Sequence, residues 1–263
     1  MTRTLKPLFS VQLLCAICAL SLGFNANAQS TLKLDYRVLE VSSHDSATFT
    51  QGLALHNNIF YESSGLYGKS FVRSYNSKDN SALAEWPLPA QIFAEGLTLL
   101  DNSLFLLSWK AGVLMELDAI SLTPIKQTRY KGEGWGLTND GQSFIMSDGG
   151  NRLYFRNANS FAIERSVRVH SKWKSYSQLN ELEYADKYIW ANVWQSPYIL
   201  KVSPATGEVM GIVDFSDLVK KNSGSDDSGV LNGIAYDAAN DAFWITGKFW
   251  QNRYLVKITA AVP

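Results

Sequence analysis

The sequence predicts an all-β chain folded as a five-bladed β-propeller. Three observations predict it: a short motif recurs five times at blade-like spacing, each copy is followed by further β-type segments, and helical periodicity is nearly absent. The copies are Gln51-Gly52-Leu53-Ala54, Glu95-Gly96-Leu97-Thr98, Trp135-Gly136-Leu137-Thr138, Asn180-Glu181-Leu182-Glu183 and Asn232-Gly233-Ile234-Ala235. They begin 44, 40, 45 and 52 residues apart, and four-stranded propeller blades repeat at roughly 40–50 residues. The longest interval contains the polar stretch 220–229, which reads as a loop insertion.

Each motif opens an inner strand, and the later segments supply the rest of a blade. Second strands end in Gly, Ser or aromatic residues: Ser63-Ser64-Gly65, Leu107-Ser108-Trp109-Lys110, Met146-Ser147-Asp148-Gly149, Asn192-Val193-Trp194 and Thr246-Gly247-Lys248. Alternating segments at 71–75, 113–117, 153–156, 199–202 and 254–258 read as third strands. Outer strands are expected at 82–88, 125–130, 163–169 and 209–215, and only 215–221 suggests a turn or two of helix. The fifth unit ends after three strands, while an unassigned β-type segment at 34–41 precedes the first. That segment is expected to complete the last blade, which removes open strand edges. Most of the 8 Trp and 13 Phe are expected to pack between neighbouring sheets.

Composition narrows the function classes. The chain has 263 residues, 46% of them hydrophobic, with 24 basic and 24 acidic side chains. Such a balance carries neither a nucleic-acid footprint nor an acidic tail. Residues 1–28 read as a secretory signal: Arg3 and Lys6 precede an apolar run, and Ala26-Asn27-Ala28 forms the cleavage site. Residues 29–263 are then a single exported propeller domain, periplasmic or secreted, with no membrane attachment after cleavage. Cys15 and Cys18 both lie in the leader, so the mature chain has no thiol chemistry. Cleavage after Ala28 would expose Gln29 at the new N-terminus.

Equivalent positions in five repeats converge around a propeller axis. Those positions hold Gln51, Glu95, Trp135, Asn180 and Asn232: one acid, three amides and one indole. A structural ring would repeat one small or apolar residue, so this mixture points to a site. The second-strand ends add Trp109, Asp148, Trp194 and Lys248, with Gly65 in the first unit. Together they describe an apolar mouth with few polar groups, the form small-ligand sites take. Asn232 before Gly233 and Asp148 before Gly149 read first as turn chemistry. His44, His56 and His170 show no ligand spacing.

The motifs also resemble a known family. Phe49-Thr50-Gln51-Gly52-Leu53, Tyr61-Glu62-Ser63-Ser64-Gly65-Leu66-Tyr67-Gly68, Glu95-Gly96-Leu97-Thr98, Gly134-Trp135-Gly136-Leu137-Thr138, Leu179-Asn180-Glu181-Leu182-Glu183, Trp190-Ala191-Asn192-Val193-Trp194, Val230-Leu231-Asn232-Gly233-Ile234 and Thr246-Gly247-Lys248 are similar to the plant-type glutaminyl-peptide cyclotransferases, which also occur in bacteria. The resemblance spans the mature chain in order, with Ala94 as a small departure where Gly is expected. It implies a five-bladed, metal-independent, cofactor-free acyltransferase that converts N-terminal glutamine of peptides or proteins into pyroglutamate and ammonia. It also implies a site lined by Phe49, Gln51, Glu95, Trp135, Asn180, Trp194 and Lys248, with Glu95 shuttling the proton. Lys248 is expected either to donate to the oxyanion or to orient Glu95, and the enzyme is expected to be a monomer. Two other classes compete: a calcium-dependent lactonase or esterase propeller using Glu95, Asn180 and Asn232 as oxygen ligands, and a non-catalytic binding propeller.

Overall fold

The computed structural model describes residues 1–2, 31–222 and 229–261. Residues 3–28 of the expected signal segment, with both cysteines, and Gln29 lie outside the described residues. No helix among the described residues is long and apolar enough to cross a membrane.

The strands follow the sequence pattern closely. Strands β2 (Thr50–His56), β3 (Ile59–Ser64), β4 (Phe71–Asn76) and β5 (Ala82–Pro87) form one antiparallel sheet in chain order. A second contains β6 (Ala94–Leu100), β7 (Ser103–Ser108), β8 (Val113–Asp118) and β9 (Pro124–Arg129). A third contains β10 (Leu137–Asn139), β11 (Ser143–Met146), β12 (Arg152–Asn157) and β13 (Ile163–Arg168). Strands β14 (Leu179–Ala185), β15 (Tyr188–Val193), β16 (Tyr198–Val202) and β17 (Val209–Asp214) meet β18 (Leu231–Asp237), β19 (Ala242–Gly247) and β20 (Asn252–Ala260) in one eight-stranded sheet. The joint is β1 (Leu32–Ser43), which pairs antiparallel with β20 from Leu34 to Ser43 and parallel with β17 at Leu32–Leu34. The expected N-terminal strand therefore does complete the last unit, but it also fuses the fourth and fifth units. At 12 residues it is long enough to carry unpaired backbone groups past β20 onto the edge of β17. The one described helix, α1 (Ser216–Asn222), lies where a helical turn is expected.

The recurring motif is a β-bulge in four of the five units. Pairing slips between Thr50 and Gly52, Ala94 and Leu97, Leu179 and Leu182, and Leu231 and Ile234. A bulge leaves a residue unpaired and re-aims its side chain; here the affected residues include Gln51, Glu95, Asn180 and Asn232. Asn232 is thus the re-aimed residue of an inner strand rather than part of a turn. The motif glycines meet the next inner strand without room for a side chain. A Cβ on Gly96 would lie 2.4 Å from Leu137 N, and one on Gly136 2.0 Å from the Asn180 carbonyl oxygen. Strands β2, β6, β10, β14 and β18 touch in cyclic order, each packing against the next and β18 against β2. Glu181 stands where the other motifs have Gly. Its carboxylate accepts from Leu53 N at 3.4 Å and Ile234 N at 2.8 Å, bridging three inner strands.

Aromatic side chains fill the seams between neighbouring repeat units. Phe60 of β3 meets Trp244 of β19, Phe105 of β7 meets Phe144 of β11, and Trp190 of β15 meets Phe243 of β19, with ring centres 4.7–5.6 Å apart. A fully buried side chain of this kind stabilises by roughly 1.5–3 kcal/mol.

A polar cluster ties the start of the chain to its end. Glu62 accepts hydrogen bonds from Thr50 Oγ1, Tyr75 OH, Arg73 and His44 Nε2. His44 Nδ1 lies 2.7 Å from the Trp250 carbonyl oxygen. Both ring nitrogens face acceptors, so both carry protons and His44 is an imidazolium. Burial alone would depress its pKa, but the Glu62 charge raises it above the usual histidine value.

Candidate active site

Gln51, Glu95, Trp135, Asn180, Trp194, Lys248 and Phe49 all line one cavity of about 320 Å³, together with Phe93 and Trp109. The backbone explains the convergence. Gly65, Trp109, Trp194 and Lys248, at the second-strand ends, donate their N–H groups to the carbonyls of Phe49, Phe93, Gln178 and Val230. Each acceptor lies two residues before the bulge residue of its unit, so the same bond brings both halves of the site to one mouth. Gly65 keeps that mouth open, since a Cβ there would lie 2.3 Å from the Phe93 ring. Asp148 lacks this bond and stays outside the cavity. Its Oδ1 accepts from Gly150 N at 2.9 Å, the turn role expected for it.

Glu95 is 4% exposed, and one carboxyl oxygen, Oε1, accepts from Gln51 Nε2 at 3.1 Å. The amide of Gln51 is oriented from behind, because Asn232 Nδ2 donates to the Thr50 carbonyl at 2.9 Å and to Gln51 Oε1 at 3.3 Å. Oε2 of Glu95 has no hydrogen-bond partner among the described residues. Burial pushes the Glu95 pKa well above the ordinary carboxyl range; Lys248 opposes that rise and Glu133 adds to it. Burial likewise brings Lys248 down to about 8, against the pull of Glu95. Lys248 forms no ion pair with Glu95 among the described residues; its Nζ lies 4.3 Å from the centre of the Phe49 ring.

The walls are aromatic. Trp135 and Trp194 meet edge to face at 5.6 Å, and Phe49, Phe93 and Trp109 continue the surface. One carboxylate holds two of these indoles: Glu133 Oε2 accepts from Trp109 Nε1 at 2.7 Å and Trp135 Nε1 at 3.1 Å. Glu133 and Phe93 do not figure in the sequence-based site. Both lie two residues before a motif, as Phe49 does, and that offset was the available signal. Asn180 Oδ1 is buried without a partner, and such an acceptor is costly unless a ligand donor reaches it.

The fold and pocket define an all-β protein in which a buried carboxyl group faces a small aromatic chamber that Lys248 also lines. A family model described as glutamine cyclotransferase matches residues 11–258. The glutaminyl-peptide cyclotransferase of Arabidopsis thaliana is 34% identical over 258 residues, covering 94% of this chain and 81% of that protein. The crystal structure of Myxococcus xanthus glutaminyl cyclase superposes with a TM-score of 0.82 at 31% identity, over 89% of this chain and 100% of that one. The chain belongs to the glutamine cyclotransferase family.

Proposed function

We propose that this protein is a glutaminyl-peptide cyclotransferase, closing the N-terminal glutamine of peptides or proteins to pyroglutamate with release of ammonia. The observation that carries the reading is Glu95, a buried carboxyl group with one oxygen fixed by Gln51 and the other free to face a chamber of about 320 Å³. The architecture we infer is a single five-bladed propeller over 29–263, supported by the cyclic packing of β2, β6, β10, β14 and β18. The eight-stranded sheet then represents two blades joined edge to edge through β1. Residues 1–28 are proposed as an export signal, giving a periplasmic or secreted monomer.

In the reaction the substrate α-amine attacks the side-chain carbonyl carbon, forming a C–N bond and an oxyanion. The former amine loses a proton, and the departing amide nitrogen gains one as its C–N bond breaks and ammonia leaves. Glu95 carries that proton across: as carboxylate it accepts from the attacking nitrogen, and as acid it donates to the leaving one. A raised carboxyl pKa suits both halves near neutral pH. The α-amine, with an ordinary pKa of about 7.7–8.0, supplies a useful neutral fraction.

Lys248 is the donor to the oxyanion. With no ion pair to Glu95 among the described residues its protons can turn to the substrate, and its proximity to Phe49 keeps the ammonium over the chamber. Asn180 offers its unpartnered Oδ1 to a substrate N–H. Trp135 and Trp194 press the flexible glutamine side chain toward its own amine, and Glu133 positions Trp135 and Trp109. The test is incubation of the protein with a Gln-initiated peptide and mass spectrometry of the product. Ammonia loss faster than the spontaneous reaction is expected; no acceleration would refute the reading.

A further inference from the structure

A second cavity, of about 830 Å³, opens beside the candidate pocket. Val193 and Ser196 line it, while Trp194 between them lines the pocket. The two depressions therefore share the 193–198 turn. The floor of the second is apolar, with Leu32, Leu200 and Ile212 beside Tyr176 and Tyr198.

One wall is a hairpin whose tip is Lys172-Trp173-Lys174. Trp173 is 86% exposed, yet the turn beneath it is pinned. Ser171 N donates to the Lys174 carbonyl at 2.7 Å, Tyr176 N to the Val169 carbonyl at 3.0 Å, and His170 bridges to both Ser175 and Glu208. An indole held in water by an ordered turn is a surface feature with no internal packing role. Lys33, Lys172 and Lys174 surround the cavity against a single carboxylate, Asp214, so its charge is positive. Lys172 Nζ lies 4.8 Å from the Trp173 ring centre, placing cation and aromatic together.

We propose that this groove is an exosite for the body of the substrate polypeptide, binding a segment downstream of the N-terminal glutamine that is rich in acidic and apolar residues. The proposal rests on the cyclotransferase reading for its link to turnover. Continuity through the 193–198 turn places the groove next to the chamber, and an extended chain of ten residues spans about 33–36 Å. Apolar side chains meet Tyr176, Tyr198 and Trp173, and carboxylates meet the three lysines. Aromatic side chains are enriched at recognition surfaces, and the lysines supply a charge complementary to carboxylates.

The experiment compares a Gln-initiated dipeptide with two Gln-initiated decapeptides, one acidic and apolar downstream, the other basic. It uses the wild-type protein, Trp173→Ala and the double variant Lys172→Ala/Lys174→Ala. These positions are exposed, where substitutions usually change stability by no more than about 0.5 kcal/mol. The expected result is a preference of about tenfold in kcat/KM for the acidic decapeptide, the size of one good contact cluster at about 1.4 kcal/mol. Both variants should lose it through KM, leave dipeptide turnover unchanged, and weaken binding of a fluorescent acidic decapeptide in anisotropy. Equal kcat/KM for both decapeptides, unaltered by the variants, would overturn the exosite. So would Trp173-dependent binding to vesicles containing anionic lipid with no effect on peptides, which would assign the face to a membrane surface. Failure to turn over the dipeptide would count against the cyclotransferase reading, while anisotropy would still decide whether the groove binds peptide.

Discussion

Glu62 and Glu95 are both buried strand carboxylates, and their surroundings drive them in opposite directions. Glu62 is enclosed by Thr50, Tyr75, Arg73 and His44, and these partners outweigh burial to hold its pKa far below the carboxyl range. Among the described residues Glu95 has one amide donor and no paired cation, so burial dominates and its pKa rises. The difference teaches which acid is architecture and which is chemistry. Of these two acids, Glu62 is held ionised by its donors, and Glu95, with one donor, is left able to exchange a proton.

The largest expected effect is on Glu95. Glu95→Gln should lower kcat by about a hundred- to ten-thousand-fold, the range for loss of a positioned acid/base, as read by ammonia release. The same variant should unfold at an unchanged or higher temperature at neutral pH. A carboxyl group whose folded pKa is raised contributes stability below its unfolded pKa and loses it as pH rises through the folded value, and the amide removes that loss.

Lys248→Met should lower kcat by about a hundred- to a thousand-fold, as for removal of an oxyanion donor. The pH profile sharpens its role. Activity should rise with pH as Glu95 and the substrate amine deprotonate, then fall as Lys248 loses its proton near about 8. In Lys248→Met the residual activity should lack that alkaline fall.

Glu62→Gln should do the reverse of Glu95→Gln. Leaving Arg73 and His44 without their carboxylate should cost about 3–5 kcal/mol of stability, seen in urea unfolding, with the kcat of the folded fraction retained. The stability that His44 contributes should be fully present below about pH 6.5 and be lost as pH rises through its raised folded value. Glu133→Ala should lower kcat/KM by about tenfold, less than the hundredfold ascribed to a serious misplacement, with altered tryptophan emission from the freed indoles. Glu133→Gln should restore much of both, because an amide oxygen still accepts from them. Smallest of all, a chelator should leave activity unchanged, separating this reading from a calcium-dependent lactonase.

The strands and six of the seven expected pocket residues were legible because the repeat fixes them, while Phe49 came from the family resemblance. A bulge at the same place in successive inner strands turns equivalent positions toward one mouth, so aligning Gln51, Glu95, Asn180 and Asn232 amounts to aligning a backbone geometry. What escaped depends on contacts that the repeat does not spell out. The parallel pairing of β1 with β17 depends on how far the strand extends, which alternation does not encode. Glu133 sits in a Gly-flanked loop, and its grip on two indoles is visible only once Trp109 and Trp135 stand side by side. Asn232 looked like turn chemistry because Asn-Gly usually is, and the unusual φ of +132° at Gly233 serves a bulge instead.

The most direct test of the contrast is an infrared difference titration of wild type against Glu95→Gln, following the carbonyl stretch of the protonated acid. The Glu95 band should persist well above the ordinary carboxyl range and vanish at the same pH at which the acid limb of kcat/KM turns. A band lost at the usual carboxyl pKa, or one unrelated to the activity profile, would contradict Glu95 as the proton carrier.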